Sequence, residues 1–386
     1  MSSTLVIILS ETRASELTFD NFKKNVIDEL NADLCVCIGV KPDYDYNNPY
    51  FQLAKYRFTY DEHDDYGVAF DYAYNILSKD LPKYEKIDNM NAFYGKIGTA
   101  KKSDDKITYL GDKPINLKEL TYDIISVHNK EFSNKNWSNQ AYASNTHDIT
   151  KYTEEKDVTL YKKPLPWREF LKIKDQFMGG VKDSKDQHPG SAGILIFFRW
   201  YLLQKLIEND LINKYDRFII TRSDFIYQLP HPQVSLMNPN NIWIPNGEQY
   251  FGYTDRHVVL SKSNIVSYLN IFNNLVYKSN EFFIKMQKLY PSVRAKGAPG
   301  WNLEQLIAFN LLQNKVGDLV MLFPYVMYSV RNTNGSTRWA GGYYSNELGY
   351  FIKYHTEFNR SNHLKHLFNI SGKNINDFFV ESFSKP

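Results

Sequence analysis

Two short, unbroken apolar runs with a helix-period stretch between them constrain this chain most. Residues 5–9 read Leu5-Val6-Ile7-Ile8-Leu9, and residues 33–39 read Asp33-Leu34-Cys35-Val36-Cys37-Ile38-Gly39. A strand that is apolar at every position has both faces covered, as in a parallel sheet sandwiched between helices. Between the runs, Leu17, Phe22, Val26, Ile27 and Leu30 recur at helical spacing. Strand, helix, strand is a βαβ unit, the opening of an α/β sheet of the nucleotide-binding kind. No G-x-G-x-x-G follows the first run, which disfavours a dinucleotide-type site.

Composition narrows the classes. The chain has 386 residues, enough to bury a sizeable core as one large domain or two modest ones. Its formal net charge of +3 shows no excess that would point to duplex DNA or an anionic membrane. Aromatic residues make up 16%, most of the excess being Tyr, which suits wet, carbohydrate-like ligands as well as half-buried packing. The two cysteines, Cys35 and Cys37, are held apart by an extended backbone if they sit on a strand, so a mutual disulfide is not expected. No Cys/His spacing resembles a zinc knuckle. The first apolar run is too short for a signal-peptide core or a membrane span, so a cytoplasmic protein is expected, with no membrane span and no nucleic-acid partner.

Farther along, residues 41–165 interleave acidic and aromatic side chains with polar stretches. They read as a variable insertion carrying a helix near 66–77. After 164, order returns. An apolar helix is expected over about 191–208, a strand near 215–225 that ends in charge, and a short strand at 242–245. Helices follow at about 263–278 and 302–314. The run 319–330 is strand-like but broken by Pro324, and the tail 351–386 is polar and mixed. There are no internal repeats.

Three stretches carry chemistry. The strand ending Ile219-Ile220-Thr221 presents Arg222 and Asp224, two apart and on one side if the backbone stays extended. In open α/β sheets, ligands collect beyond the carboxyl ends of strands. Asp supplies hard oxygen ligands for Mg²⁺ or Mn²⁺, and Arg a fork for a diphosphate. The pair also reads as an ion pair closing a strand. The second stretch, residues 246–256, sets Gly252 among bulky residues and ends in Asp255-Arg256. Glycine there implies a sharp turn or a close backbone approach, and a plain hairpin explains it equally well. In the third, Asn302 and Gln305 have capping-box spacing, which places Glu304 in the first turn of a helix. Glu304 reads either as a helix-start acid or as a general base at the rim of a cleft.

In this order, these features resemble glycosyltransferases with a GT-A-type fold, especially the sugar-transfer enzymes of large DNA viruses and bacterial surface-glycan loci. The matching features are the first strand leading into Ser10-Glu11-Thr12-Arg13, the long helix before Tyr215-Asp216 and Thr221-Arg222-Ser223-Asp224, the Gly252 loop with Asp255, and the helix start with Glu304. They cover about residues 1–40 and 190–335. The resemblance implies one α/β catalytic domain over 1–386, with a mixed, mostly parallel sheet flanked by helices and a large insertion. It puts Asp224 at the metal-binding aspartate, although Arg222 stands where the usual aspartate-x-aspartate motif has its first acid. Gly252 matches the loop that contacts the donor sugar, and Ser10 and Arg13 lie where nucleotide-contacting residues follow the first strand. His355 is the candidate for a metal-completing histidine, and Glu304 matches the base of inverting members.

The expected activity is transfer of a hexosyl or pentosyl group from a nucleotide-diphosphate sugar, UDP favoured, to a glycan hydroxyl. Inversion is favoured and retention left open. Glu304 or Asp255 would be the base, with Mn²⁺ or Mg²⁺, or Arg222, countering charge on the leaving diphosphate. The rival classes are a non-catalytic carbohydrate-binding or structural protein and a glycoside hydrolase.

Overall fold

The computed structural model describes residues 3–62, 66–80, 191–250, 252–272, 275, 302–332 and 342–383, with two strand fragments at 107–108 and 114–115. The stretch around 164–167, the loop residues 297–301 and the rest of the expected insertion lie outside the described residues, as does most of the helix expected beyond 272.

The βαβ opening is present. β1 (Thr4–Ser10) is followed by α1 (Ser15–Phe22), which continues through a π-helical segment (Lys23–Asp28) into β2 (Asp33–Val40). β1 and β2 pair in parallel from Leu5↔Asp33 to Ser10↔Ile38. The continuous apolar runs follow from burial on both faces. Leu5, Ile7, Leu9, Cys35 and Cys37 enter one core, while Val6, Ile8, Leu34, Val36 and Ile38 enter the other. Cys35 and Cys37 are buried free thiols.

The acidic and aromatic stretch begins differently from expectation. α2 (Pro49–Leu53) leads into β3 (Tyr56–Asp61), which extends the sheet alongside β2. As an edge strand it is only half covered, so its sequence lacks the apolar run that marks β1 and β2. The expected helix follows as α3 (Tyr66–Asp80), whose Tyr66, Ala69, Phe70 and Ala73 are buried. β4 (Ile107–Thr108) and β5 (Pro114–Ile115) form a separate two-stranded ladder.

α4 (Ser191–Glu208) is apolar almost all round and lies deep in the first core, with Phe197, Phe198, Trp200 and Leu202 nearly inaccessible. A short α5 (Leu211–Lys214) precedes β6 (Arg217–Thr221), which sits beside β1 in parallel, with Ile8 opposite Thr221. The segment read as one strand over 215–225 is in fact two. After Thr221 the chain turns, and β7 (Phe225–Tyr227) joins a different sheet. β8 (Ile242–Pro245), β9 (Val258–Ser261), α6 (Ile265–Leu269), α7 (Leu303–Gln313) and β10 (Val320–Phe323) follow.

The main sheet has seven strands in the order β10-β8-β9-β6-β1-β2-β3. It is mixed and mostly parallel, with β9 antiparallel to both β6 and β8. The break at Pro324 is where the chain leaves this sheet, because β11 (Met327–Arg331) pairs instead with β7. β12 (Tyr343–Ser345) and β13 (Tyr350–Ile352) complete a second sheet of order β12-β13-β11-β7. The polar tail holds α8 (His355–Ser371) and α9 (Ile375–Phe383). α9 turns Phe379 and Phe383 onto Trp243 at 5.7 and 4.9 Å between ring centroids, which buries the outer face of β8. Among the described residues no helix is long and apolar enough to cross a membrane.

Candidate active site

Topology gathers the candidate residues. β9 runs antiparallel to β6 with Val258 opposite Ile220, so the residues entering β9 lie beside those leaving β6. Asp255 and Arg256 are thereby brought to Arg222 and Asp224 across about thirty positions of sequence. The crossing is tied below by His257 Nδ1 and Thr221 Oγ1 at 3.0 Å. The loop after β1 is fastened to the same place: Ser223 Oγ donates to the carbonyls of Glu11 and Arg13 at 3.1 and 3.0 Å, and Thr18 Oγ1 donates to Ser223 O at 2.7 Å.

Asp224 is fully buried and gripped from two sides. Arg222 forks onto it, Nε to Oδ1 at 2.8 Å and Nη2 to Oδ2 at 2.7 Å. Arg331 Nη1 donates to Oδ2 as well. Arg331 reaches it because β11 pairs with β7 in a register fixed by Val330 N donating to Asp224 O at 2.8 Å. Burial raises the Asp224 pKa, but the charges of Arg222 and Arg331 outweigh it and hold the carboxyl well below the usual range. Lys353 follows β13, and its backbone N donates to Ser329 O at 2.9 Å, which sets it beside Arg331. Its ammonium lies 4.8 Å from the Tyr354 ring centre. Burial, and then the charges of Arg222 and Arg331, lower its pKa to about 7.

Glu304 occupies the first turn of α7. The capping box is formed: Gln305 N donates to Asn302 Oδ1 at 2.8 Å, and Asn302 N donates to Gln305 Oε1 at 3.1 Å. Asn302 Nδ2 also donates to Tyr250 O at 2.9 Å, tying the helix start to the preceding loop. Gly252 lies against the Glu304–Gln305 peptide. A Cβ on it would come within 2.0 Å of Glu304 O, and Tyr253 N donates to that same oxygen at 3.1 Å. The close approach that a glycine permits is used here by protein backbone. Burial first, and the neighbouring Asp255 second, raise the Glu304 pKa to about 8. The Asp255 backbone is anchored in turn by Arg199 of α4, whose Nη2 donates to its carbonyl at 2.9 Å.

Beside these, Arg256 and Glu357 form a buried ion pair. Glu357 Oε2 accepts from Ser329 N at 2.9 Å, and the Arg256 guanidinium lies 4.3 Å from the Tyr354 ring centre.

Of the remaining candidates, Arg13 lies at the edge of the cluster, while Ser10 and His355 do not join it. Ser10 ends β1 in a left-handed conformation, φ 73°, with its hydroxyl turned back onto Leu9 O at 2.7 Å. Arg13 is half-exposed and paired with Glu11, near enough for its charge to act on Asp224. His355 is exposed at the start of α8, its ring 4.8 Å from that of Tyr343. A divalent metal does not fit this set. Both Asp224 oxygens are taken by guanidinium N–H groups, and no group of three acidic, His or Cys side chains among the described residues could hold the ion.

Sequence reasoning missed Arg331, Lys353 and the Arg256–Glu357 pair. The signal was present for Arg331: Tyr328-Ser329-Val330-Arg331 is an apolar strand closing on a charge, the pattern that singled out Arg222. Tyr350-Phe351-Ile352-Lys353 shows the same pattern, whereas Glu357 carries no such mark.

No protein-family model matches the chain, and no curated protein does. Among solved structures, the chain is similar to the apo form of mouse xyloside xylosyltransferase 1. The likeness is at 8% identity with a TM-score of 0.34, covering 84% of this chain and 85% of that one. The fold described above is a mixed, mostly parallel α/β sheet with its polar cluster at the carboxyl ends of β1 and β6.

Proposed function

We infer that this chain is a glycosyltransferase that moves a hexosyl or pentosyl group from a nucleotide-diphosphate sugar, UDP favoured, to a glycan hydroxyl with inversion. One observation carries the reading: Glu304 lies near enough to Asp255 for that charge to act on it, beside the cations Arg222 and Arg331 at the carboxyl ends of the strands. In-line displacement needs both halves. The base must take the acceptor proton as the new C–O bond forms, and cations must receive the charge left on the diphosphate as the old bond breaks.

Glu304 is the base of choice in this reading. A carboxyl with a pKa near 8 is a far stronger proton acceptor than an ordinary one, at the cost of being mostly protonated at neutral pH. Asp255 supports it by raising that pKa, and is the second candidate. Arg222 faces the departing diphosphate. A reducing, cytoplasmic setting belongs to the same proposal, motivated by the two buried free thiols. The likeness to sugar-transfer enzymes of viruses and bacterial surface-glycan loci rests on the order of the motifs.

A panel of nucleotide sugars tested for thermal stabilisation, with and without Mn²⁺, examines donor and metal together. A rise in melting temperature with one UDP-sugar, followed by its transfer to a glycan, is the expected result. Free sugar released from an oligosaccharide without nucleotide would replace this reading with hydrolysis by the same two carboxylates. No binding of UDP at all would favour a non-catalytic protein.

A further inference from the structure

The misfit between Asp224 and a metal ion has a positive counterpart. We propose that Arg222, Arg331 and Lys353 form a metal-free site for the diphosphate group of a ligand, with Asp224 as the internal counter-ion that fixes the two guanidinium groups.

Three features support this assignment. The first is charge balance: three cationic side chains surround one carboxylate, while Arg13 and Arg256 nearby have acidic partners of their own, Glu11 and Glu357. Asp255 also acts on Arg222, and Lys353 titrates at about 7, so the cluster keeps a net positive charge of about one at most, and an arriving phosphate would favour the charged form of Lys353.

The second is donor availability. Arg222 uses Nε and Nη2 on Asp224, and Arg331 uses Nη1 on Asp224 and on Val330 O. Arg222 Nη1, Arg331 Nε and Nη2, and Lys353 Nζ have no acceptor among the described residues. Guanidinium edges match the O–P–O geometry of phosphate, and an ammonium adds a point charge.

The third is rigidity. Asp224, Arg331 and Lys353 are set by backbone hydrogen bonds between β7, β11 and the end of β13, at 2.8 and 2.9 Å. The cations are therefore held together before any ligand arrives. A cation at Asp224 would have to displace guanidinium N–H groups from both oxygens and then sit among like charges.

The choice of a diphosphate rests on the sugar-transfer reading, while the cationic site does not. The test is calorimetric titration of the full chain with inorganic pyrophosphate and with UDP, first in EDTA and then in Mn²⁺. It compares the native chain with Asp224→Asn and Lys353→Met, each checked for folding by circular dichroism. Pyrophosphate should bind in EDTA, and Mn²⁺ should change its affinity little. Lys353→Met should weaken binding about tenfold or more, the size of a lost charged hydrogen bond.

Asp224→Asn separates the alternatives. Removing the carboxylate charge should leave pyrophosphate bound in EDTA, whereas a metal site would lose its Mn²⁺-dependent binding. Binding that requires Mn²⁺, loss of binding in a folded Asp224→Asn, or unchanged affinity in Lys353→Met would each overturn the proposal. Should Asp224→Asn fail to fold, the EDTA and Lys353→Met arms still decide. Pyrophosphate bound without metal, with no sugar transferred from any donor, would sink the glycosyltransferase reading and leave this site standing. Transfer that depends wholly on Mn²⁺ would do the reverse.

Discussion

Asp224 and Glu357 are both buried carboxylates that accept from arginine, yet their surroundings differ. Glu357 meets one guanidinium, that of Arg256, together with one backbone N–H, and the pair is closed off from solvent. Asp224 meets two guanidinium groups with Lys353 close by, and Arg222 keeps 20% of its side-chain surface accessible. The first cluster is balanced in charge and closed to solvent, a structural tie between the start of α8 and the entry to β9, although Arg256 Nη2 is left without an acceptor among the described residues. The second has spare charge and spare donors at an accessible edge, which is what a ligand site requires. Burial raises the pKa of Glu357 despite Arg256, whereas around Asp224 the doubled positive charge prevails over burial. Counting charges around a buried acid separates the two roles better than burial does.

The largest effect expected from the reactive side is at Glu304. Glu304→Gln keeps size and capping geometry but cannot accept a proton, so turnover should fall by about 10²–10⁴. The melting temperature should barely move. Normal turnover in steady-state assays of this variant would remove Glu304 from the chemistry.

The balanced side should respond in stability instead. Glu357→Ala strands the Arg256 charge in the interior and should cost about 3–5 kcal/mol, read as a shift of the denaturant midpoint. If Glu357→Ala kept full stability but lost activity, the contrast between the clusters would be drawn the wrong way round.

An uncharged case lies beneath the site. His231 and His257 face each other with Nε2 atoms 3.2 Å apart, and His231 Nδ1 lies 2.7 Å from Pro232 O. Burial keeps both rings neutral near pH 7, and in that state His231 Nδ1 donates to the carbonyl, His257 donates to His231, and Thr221 donates to His257. Burial lowers both pKa values, His231 to about 4, with the Pro232 contact opposing and Arg217 assisting. A folded pKa below the unfolded value of about 6.5 stabilises the native state above that pH. That stability should drain away as pH falls from about 6.5 toward 4, visible in denaturant midpoints across that range. A flat profile would mean that these rings ionise without penalty.

The smallest expected change is a displacement of a pH profile. With Glu304 as base, the rate should rise with pH through about 8. Asp255→Asn removes the neighbouring negative charge, so the rising limb should move to lower pH while the maximal rate falls far less than in Glu304→Gln. An Asp255→Asn enzyme that is dead at every pH would exchange the two roles.

Much of the sheet could be read from the chain because β1, β2, β6 and β8 declare themselves locally, while β9, four residues between polar neighbours, does not read as a strand. The runs at β1, β2 and β6 are apolar at every position since both faces are covered, and the Asn302/Gln305 cap depends on residues three apart. β3 escaped notice, because an edge strand has one face to water and its composition matches the loops around it. Pro324 was visible as a break, but nothing local reveals that the residues beyond it belong to a second sheet.

For the site, the sequence by itself determined which side chains end strands and begin helices, and so offered Arg222, Asp224, Asp255 and Glu304. Only the tertiary structure decided their partners. The antiparallel β9 carries Asp255 to Arg222, and the β7–β11 pairing delivers Arg331 to Asp224 from 107 residues away. Charge is a property of a residue, but charge balance belongs to a neighbourhood, and strand pairing across long separations makes the neighbourhood. That is why Asp224 reads as a metal ligand in the chain and as the counter-ion of two arginines in the fold.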